Sequence, residues 1–314
     1  AYIIDTEVMG VSKKWLIILC MLIMVGCTQK STHEKVRDNT PYVAVCKRGD
    51  KDIGNKLVTI DISNALDGYM IVIYHGTNSQ VKFRIYNPNE TDPYTYDLQP
   101  NENIFPLTGG NGNYKFVLYE HASANKYYLS YTTTAFLKIK NDTTTYLYPN
   151  QYVNYNKKTK TVEFAAKLVK DAHSDLDVVT KVYNYCVKHI HYDENKSKLA
   201  NNGQLAGYIP QIDEIMEKKV GICFDYAAVM ACMLRSQHIP TRMLIGYANT
   251  PDGVIYHAWI GVYTKETGWI DNLIKFDGKN WSLMDPTIAS EDPDSDIVKK
   301  FITDKSHYTE KYKY

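Results

Sequence analysis

Three residues, in chain order, could together perform nucleophilic chemistry. Cys223 lies in the run Gly221-Ile222-Cys223-Phe224-Asp225-Tyr226, His257 in His257-Ala258-Trp259, and Asp285 in Asp285-Pro286-Thr287. A thiol, an imidazole and a carboxylate are the parts of an acyl-transfer apparatus. A neutral thiol is a poor nucleophile, so a neighbouring imidazole must take its proton. The imidazole needs a fixed tautomer and a stabilised cation, which a buried carboxylate supplies.

The elements that must position these groups are legible around them. Gly221 breaks what precedes, and an apolar-periodic helix runs from Cys223 to about Gln237, with Phe224, Ala227, Ala228, Ala231 and Leu234 on its stripe and Pro240 ending it. A cysteine at a helix N-terminus meets unpaired N–H groups and the positive end of the dipole, both of which favour the thiolate. Short β-rich runs follow at 242–248, 256–265, 269–276 and 281–285, with Asp277-Gly278-Lys279-Asn280 as a turn. His257 falls near the start of one strand and Asp285 at the end of a later one. A helix packed on this sheet would let all three side chains meet.

These motifs resemble the transglutaminase-like superfamily of papain-like cysteine enzymes: a Gly-x-Cys opening a helix (Gly221 to Cys223), a His-Ala-Trp on a strand, and a Trp (Trp281) followed by Asp-Pro-Thr. The likeness spans roughly 176–289. It implies Cys223 as nucleophile, His257 as general base and acid, and Asp285 as the group orienting the imidazole. It also implies a catalytic domain whose nucleophile helix packs on an antiparallel sheet. The first half-reaction would give a thioester; water would then complete a hydrolase and an amine a transglutaminase. The Cys223 N–H is a natural first oxyanion donor. Candidates for a second are Tyr208, the preferred one, then Gln204 and Gln211. Animal transglutaminases use a tryptophan there, but this chain has none between Trp15 and Trp259. A water-excluding tunnel is not advertised either, so hydrolysis of peptide or isopeptide amides is favoured over cross-linking. Two alternatives remain beside it: a cross-linking enzyme, and a non-catalytic module that binds a surface polymer.

Each residue also has a plainer role open to it. Free cysteine is among the most buried residue types, a lone histidine is more often a structural polar group, and Asp285 could simply cap the turn before Pro286. It is the ordered trio that favours chemistry. Asp225 and Tyr226 read as residues that orient the helix. Trp259 shares a strand face with His257 and would either shield it from water or pack in the core.

Upstream, Lys13-Lys14 precede an apolar run from Trp15 to Val25 that ends in Gly26-Cys27. This order resembles a bacterial lipoprotein signal, with Cys27 as the lipidated residue and residues 1–8 lying ahead of a start at Met9. The apolar run is short for a full span. Residues 28–41 are polar and aperiodic and read as a flexible tether. The resulting expectation is an exported protein held by its lipid at the outer face of the bacterial membrane, with a protein or peptide as substrate and a cell-wall polymer as a further candidate partner. The formal net charge of +1 gives no electrostatic case for nucleic acid. Of six cysteines, Cys46, Cys186 and Cys232 remain after the signal, the lipid site and the nucleophile, an odd number for a disulfide framework. No paired-cysteine zinc spacing or His-Glu-x-x-His run occurs, so neither a metal nor another cofactor is expected.

Residues 42–160 read as a β-sandwich-like domain, with runs at 56–63, 69–75, 81–86, 114–120, 127–131 and 135–139. Tyr94, Tyr96, Tyr114, Tyr127 and Tyr128 could form a carbohydrate platform, although β propensity explains them more simply. Helices are expected at 161–172, at 175–190 with Ser174 as N-cap, and at 212–218. The charged segment from Glu291 reads as a helix at 297–302 that then frays. The fold class is thus α+β: signal at 1–27, tether at 28–41, β domain at 42–160, catalytic domain at 161–314. Cys27→Ala is expected to abolish partitioning into the detergent phase on Triton X-114 separation; a wild-type protein that stays aqueous and begins upstream of Cys27 would refute lipidation.

Overall fold

The computed structural model describes residues 37–250, 253–270, 274–276, 281–283 and 308–314. Cys27, the tether up to Val36, Asp285 and the expected helix at 297–302 lie outside the described residues.

The first half is β-rich because its sequence alternates. Strand β4 (Val81–Tyr86) buries Val81, Phe83 and Ile85 and turns Lys82, Arg84 and Tyr86 outward. It lies in an antiparallel sheet ordered β5-β4-β7-β8, with β5 at Tyr94–Asp97, β7 at Gly112–Ser123 and β8 at Lys126–Leu137. A second sheet runs β1-β2-β3-β6, from Asp52–Gly54, Val58–Asp61, Tyr69–Tyr74 and Glu102–Pro106. The two sheets meet where Phe83 stacks on Phe105 of β6 at 5.8 Å. Short strands β5 and β6 escape a reading by hydrophobic runs because polar and turn residues interrupt them. The runs at 127–131 and 135–139 are one strand, since the β-branched Thr132, Thr133 and Thr134 carry β8 through.

Five helices are described in the second half: α1 (Lys160–Leu168), α2 (Asp175–His189), α3 (Glu194–Asn201), α4 (Ile212–Lys218) and α5 (Cys223–Arg235). Ser174 caps α2 by accepting the Asp177 N–H at 3.1 Å. The polar helix α3 carries no apolar stripe and was not legible in the sequence. Two-residue strands β9 (His191–Tyr192) and β10 (Val220–Gly221) pair in parallel just before α5. Helix α5 contacts β11 (Thr241–Thr250) and β12 (Gly253–Thr264), which belong to a sheet ordered β13-β12-β11-β16. Strand β13 is Gly268–Ile270, and a separate hairpin joins β14 (Ile274–Phe276) to β15 (Trp281–Leu283). The expectation that the chain frays after residue 302 is corrected for its last residues. Tyr308–Lys313 form β16 against β11, and Tyr314 is buried beside them. The alternation of Tyr308, Glu310 and Tyr312 with Thr309, Lys311 and Lys313 suits a strand, although its charges read as solvated tail.

One core runs through both halves. Tyr314 packs against Tyr94 and Tyr96 of β5 and, at 4.8 Å, against Tyr152, which in turn meets Phe224 of α5 at 5.3 Å. Tyr94, Tyr96 and Tyr114 are interior residues, so they are not available as a surface platform. Arg235, at the C-terminal end of α5, is fully buried. It donates to the Thr241 carbonyl twice, to the Tyr148 carbonyl and to the Tyr314 main-chain oxygen, at 2.7–2.9 Å. One guanidinium therefore ties a β-region loop, the helix, β11 and the last residue together. Arg235→Met keeps the apolar stem but orphans these oxygens, and is expected to lower stability by about 3–5 kcal/mol. Urea denaturation measures it, and a loss below about 1 kcal/mol would show that water readily replaces the guanidinium.

Candidate active site

Cys223 is placed by the turn that feeds α5. Lys219 ends α4 in the left-handed region at φ 57°, and β10 then pairs with β9. Gly221 must be glycine, because a Cβ there would stand 2.7 Å from Asp225 Cβ. The Asp225 carboxylate reaches back to accept the Ile222 N–H at 2.9 Å, closing the first turn of the helix. Cys223 is thereby held half-buried at the N-terminus of α5, as expected.

The N–H groups of Ala258, Phe224 and Cys223 itself face the sulfur and favour its anion. Burial is the larger effect and pushes the thiol up to about 11. Burial thus outweighs the helix terminus, whose N–H groups do not replace the lost hydration of sulfur. His257 on β12, opposite Gly246 of β11, is 3% exposed, and burial pulls its imidazole down to about 4. Trp259 follows on the same face and stacks against it, with ring centroids 6.2 Å apart and planes 12° apart. Trp259 is both a core residue and a cover for the imidazole. Beside His257 the β11–β16 ladder shifts register between Ile245 and Gly246. Gly246 admits this because Thr309 O would lie 2.0 Å from any Cβ.

Cys223 and His257 line one cleft of about 700 Å³, and the contact of the Ala258 N–H with sulfur brings β12 directly onto the helix terminus. Asp285 lies outside the described residues, so its position relative to His257 is not part of this geometry. Tyr208 lines the cleft, but its hydroxyl is engaged elsewhere. It has one proton and donates it to Asp225 Oδ1 at 2.7 Å, while accepting from Lys196 Nζ at 2.6 Å. Here the hydroxyl serves Asp225. Gln204 is exposed and does not line the cleft. Gln211 is the N-cap residue of α4, and its amide donates to the Ile209 carbonyl at 3.3 Å.

The sequence reading missed Lys196 altogether, since its helix has no periodic signature. It also missed that the β region enters the cleft through Lys82, Thr95, Asp97 and Tyr152. Cys186 and Cys232 are fully buried with thiols pushed up by burial, as core packing predicts. Cys46, Cys186, Cys223 and Cys232 are all free, and among the described residues no cluster of three or more His, Cys, Asp or Glu side chains could hold a metal.

The chain is similar to known proteins over parts of its length. The Bacillus subtilis protein YebA, described as uncharacterized, is 26% identical over 153 residues, covering 43% of this chain; the match takes in 20% of that relative's length. A "putative cysteine protease" from Cytophaga hutchinsonii superposes with a TM-score of 0.36 at 16% identity, covering 64% of this chain and 77% of that one. A "putative protease" from Parabacteroides distasonis gives 0.30 at 12%, covering 59% and 36%. The family model of the transglutaminase-like superfamily matches from Val162 in α1 through the Cys223 helix and the His257 strand to residue 272. Residues 162–272 of this chain form a transglutaminase-like domain.

Proposed function

We propose that this protein is a cysteine enzyme that cleaves amide bonds of proteins or peptides through a Cys223 thioester. The observation that carries the reading is that Cys223, at a helix N-terminus, and His257 line one cleft, with the Ala258 N–H against the sulfur.

With the thiol raised and the imidazole lowered by burial, the proton resides on sulfur and the imidazole is neutral, the state a general base requires. As the sulfur attacks the substrate carbonyl, His257 takes the thiol proton and an S–C bond forms. The carbonyl oxygen becomes an oxyanion facing the Cys223 N–H. His257 then returns the proton to the leaving nitrogen, the C–N bond breaks and the amine departs, leaving a thioester. Water, deprotonated by His257, attacks the thioester and releases an acid and the free thiol. Asp285 orients the imidazole and stabilises its cation in this scheme. That role rests on the Asp-Pro-Thr motif. Hydrolysis is favoured over transfer because the cleft is open to solvent and lacks an upstream tryptophan wall. The signal-like N-terminus supports an exported, lipid-tethered location through Cys27, which would set the cleft within reach of surface proteins.

The reaction is tested with a peptide substrate and an excess of labelled primary amine, read by mass spectrometry. Free acid should dominate with wild type, and Cys223→Ala should yield no product while remaining folded. A dominant labelled amide would make the enzyme a transglutaminase, and equal turnover by Cys223→Ala would remove the nucleophile assignment.

His257 also makes a prediction about stability. Its folded value near 4 lies below an unfolded value of about 6.5, so between these limits the unfolded chain binds more protons. This penalty is absent above pH 6.5 and complete below pH 4, where it reaches on the order of 3 kcal/mol. His257→Gln should therefore lose less stability than wild type between pH 7 and 4.5 in urea titrations. Equal losses would show that the buried imidazole keeps its ordinary affinity for protons.

A further inference from the structure

One wall of the cleft is formed by Ser197, Ala200 and Asn201 of α3 and by the loop from Gly203 to Tyr208. This wall has an unusual construction. No residue of α3 is buried, so burial of apolar surface does not hold the helix in place. Its N-terminal end is fixed by main-chain bonds: β9 pairs with β10, and the Asp193 N–H donates to the Gly221 carbonyl at 3.0 Å. Beyond that point the wall meets the nucleophile helix at Asp225.

Asp225 is fully buried and two residues from Cys223. It accepts from Lys196 Nζ at 2.6 Å and from the Tyr208 hydroxyl at 2.7 Å, while also holding the Ile222 N–H. Lys196 comes from α3 and Tyr208 from the far end of the loop, so one carboxylate grips both ends of the wall. Lys196 Nζ also donates to the Tyr208 hydroxyl, closing a three-membered ring of charge-assisted bonds. Burial, together with the bond to Asp225, raises the Tyr208 pKa, so it remains a phenol and a donor. On the opposite side Gly207, at φ 77°, lets the loop approach Asp97 of the β region, where a Cβ would stand 2.8 Å from Oδ2. The loop is therefore seated between a polar clamp and a glycine contact.

We propose that Lys196 and Tyr208 are positioning residues. Through Asp225 they clamp the α3 wall of the substrate cleft to the turn that presents Cys223. The clamp sets where the acyl part of a peptide lies relative to the sulfur; its catalytic consequence rests on the proposed function of Cys223, while its mechanical consequence does not. A substrate long enough to touch the wall should bind less well when the clamp is broken, whereas the bond-making groups stay in place.

The test compares Lys196→Met, Lys196→Arg and Tyr208→Phe by steady-state kinetics and by amide hydrogen exchange. Lys196→Met and Tyr208→Phe should each speed exchange across residues 194–208 by about tenfold, as expected for one lost bond of this kind, with the remainder of the chain unchanged. KM should rise about tenfold while kcat stays within about threefold, the pattern of lost ground-state positioning. Lys196→Arg should recover most of both. Tyr208→Phe preserves the ion pair and so keeps the test valid if Lys196→Met does not fold. Unchanged exchange in 194–208 would overturn the proposal, as would a uniform rise over the whole chain, which marks a merely structural role. A fall in kcat of about 100-fold in Tyr208→Phe at constant KM would overturn it too, by assigning the hydroxyl to an oxyanion. Exchange requires no turnover, so an inactive wild type would remove the proposed function while leaving the clamp testable.

Discussion

A helix buried on every side has to satisfy its ends inside the protein, and the structure is organised around that demand. From Asp225 to Arg235 each residue of α5 is buried. Water reaches it only at Cys223 and Phe224 of the first turn, and main-chain bonds from Ser236, Gln237, His238 and Ile239 close its C-terminal end. Near the N-terminal end Asp225 accepts the Ile222 N–H, and at the C-terminal end Arg235 donates to carbonyls of neighbouring segments, each with the sign that complements the helix dipole. Asp225 gathers the α3 wall, and Arg235 gathers β11, the Tyr148 carbonyl and Tyr314. The reactive sulfur is held still because the helix that carries it is anchored at both ends by buried charge.

The same demand explains how the β region relates to the cleft. Tyrosines dominate the junction, where rings of Tyr94, Tyr96, Tyr152 and Tyr314 pack edge to face and lead to Phe224, the neighbour of Cys223. Tyr94 packs its ring in this core while its hydroxyl accepts the Lys313 N–H at 3.1 Å. The β region is thus part of the mould around the cleft and not merely a spacer, with Lys82 and Asp97 paired at 2.6 Å on its rim.

Much of this was legible in the sequence, for identifiable reasons. Helices α2 and α5 announce themselves by period, by the Ser174 cap and by Pro240. Strands β4 and β12 do so by alternation and β-branching. Motif order points to Cys223 and His257 sharing a site, and both line one cleft. Other features were not readable. Helix α3 owes its place to an ion pair made 29 residues away in sequence, which no local pattern encodes. Strand β16 is polar enough to pass for a solvated tail and is recruited by the free edge of β11. The electrostatic state of Cys223 depends on how much water the fold excludes, and burial outweighs the helix terminus in a way that residue types alone do not disclose.

The position of β16 has a consequence for when the molecule becomes complete. His257 sits in a sheet whose other edge is supplied by Tyr308–Lys313, more than forty residues after β12 ends. The register shift beside His257, and the main-chain bonds between Tyr314 and Met243, exist only once that late strand has docked. Loop closure over such a distance is an entropic cost that must be met before the pairing rewards it. Until that pairing forms, the edge of β11 lacks its neighbour. Completion of the sheet that holds His257 is in this way coupled to the docking of a strand far away in sequence.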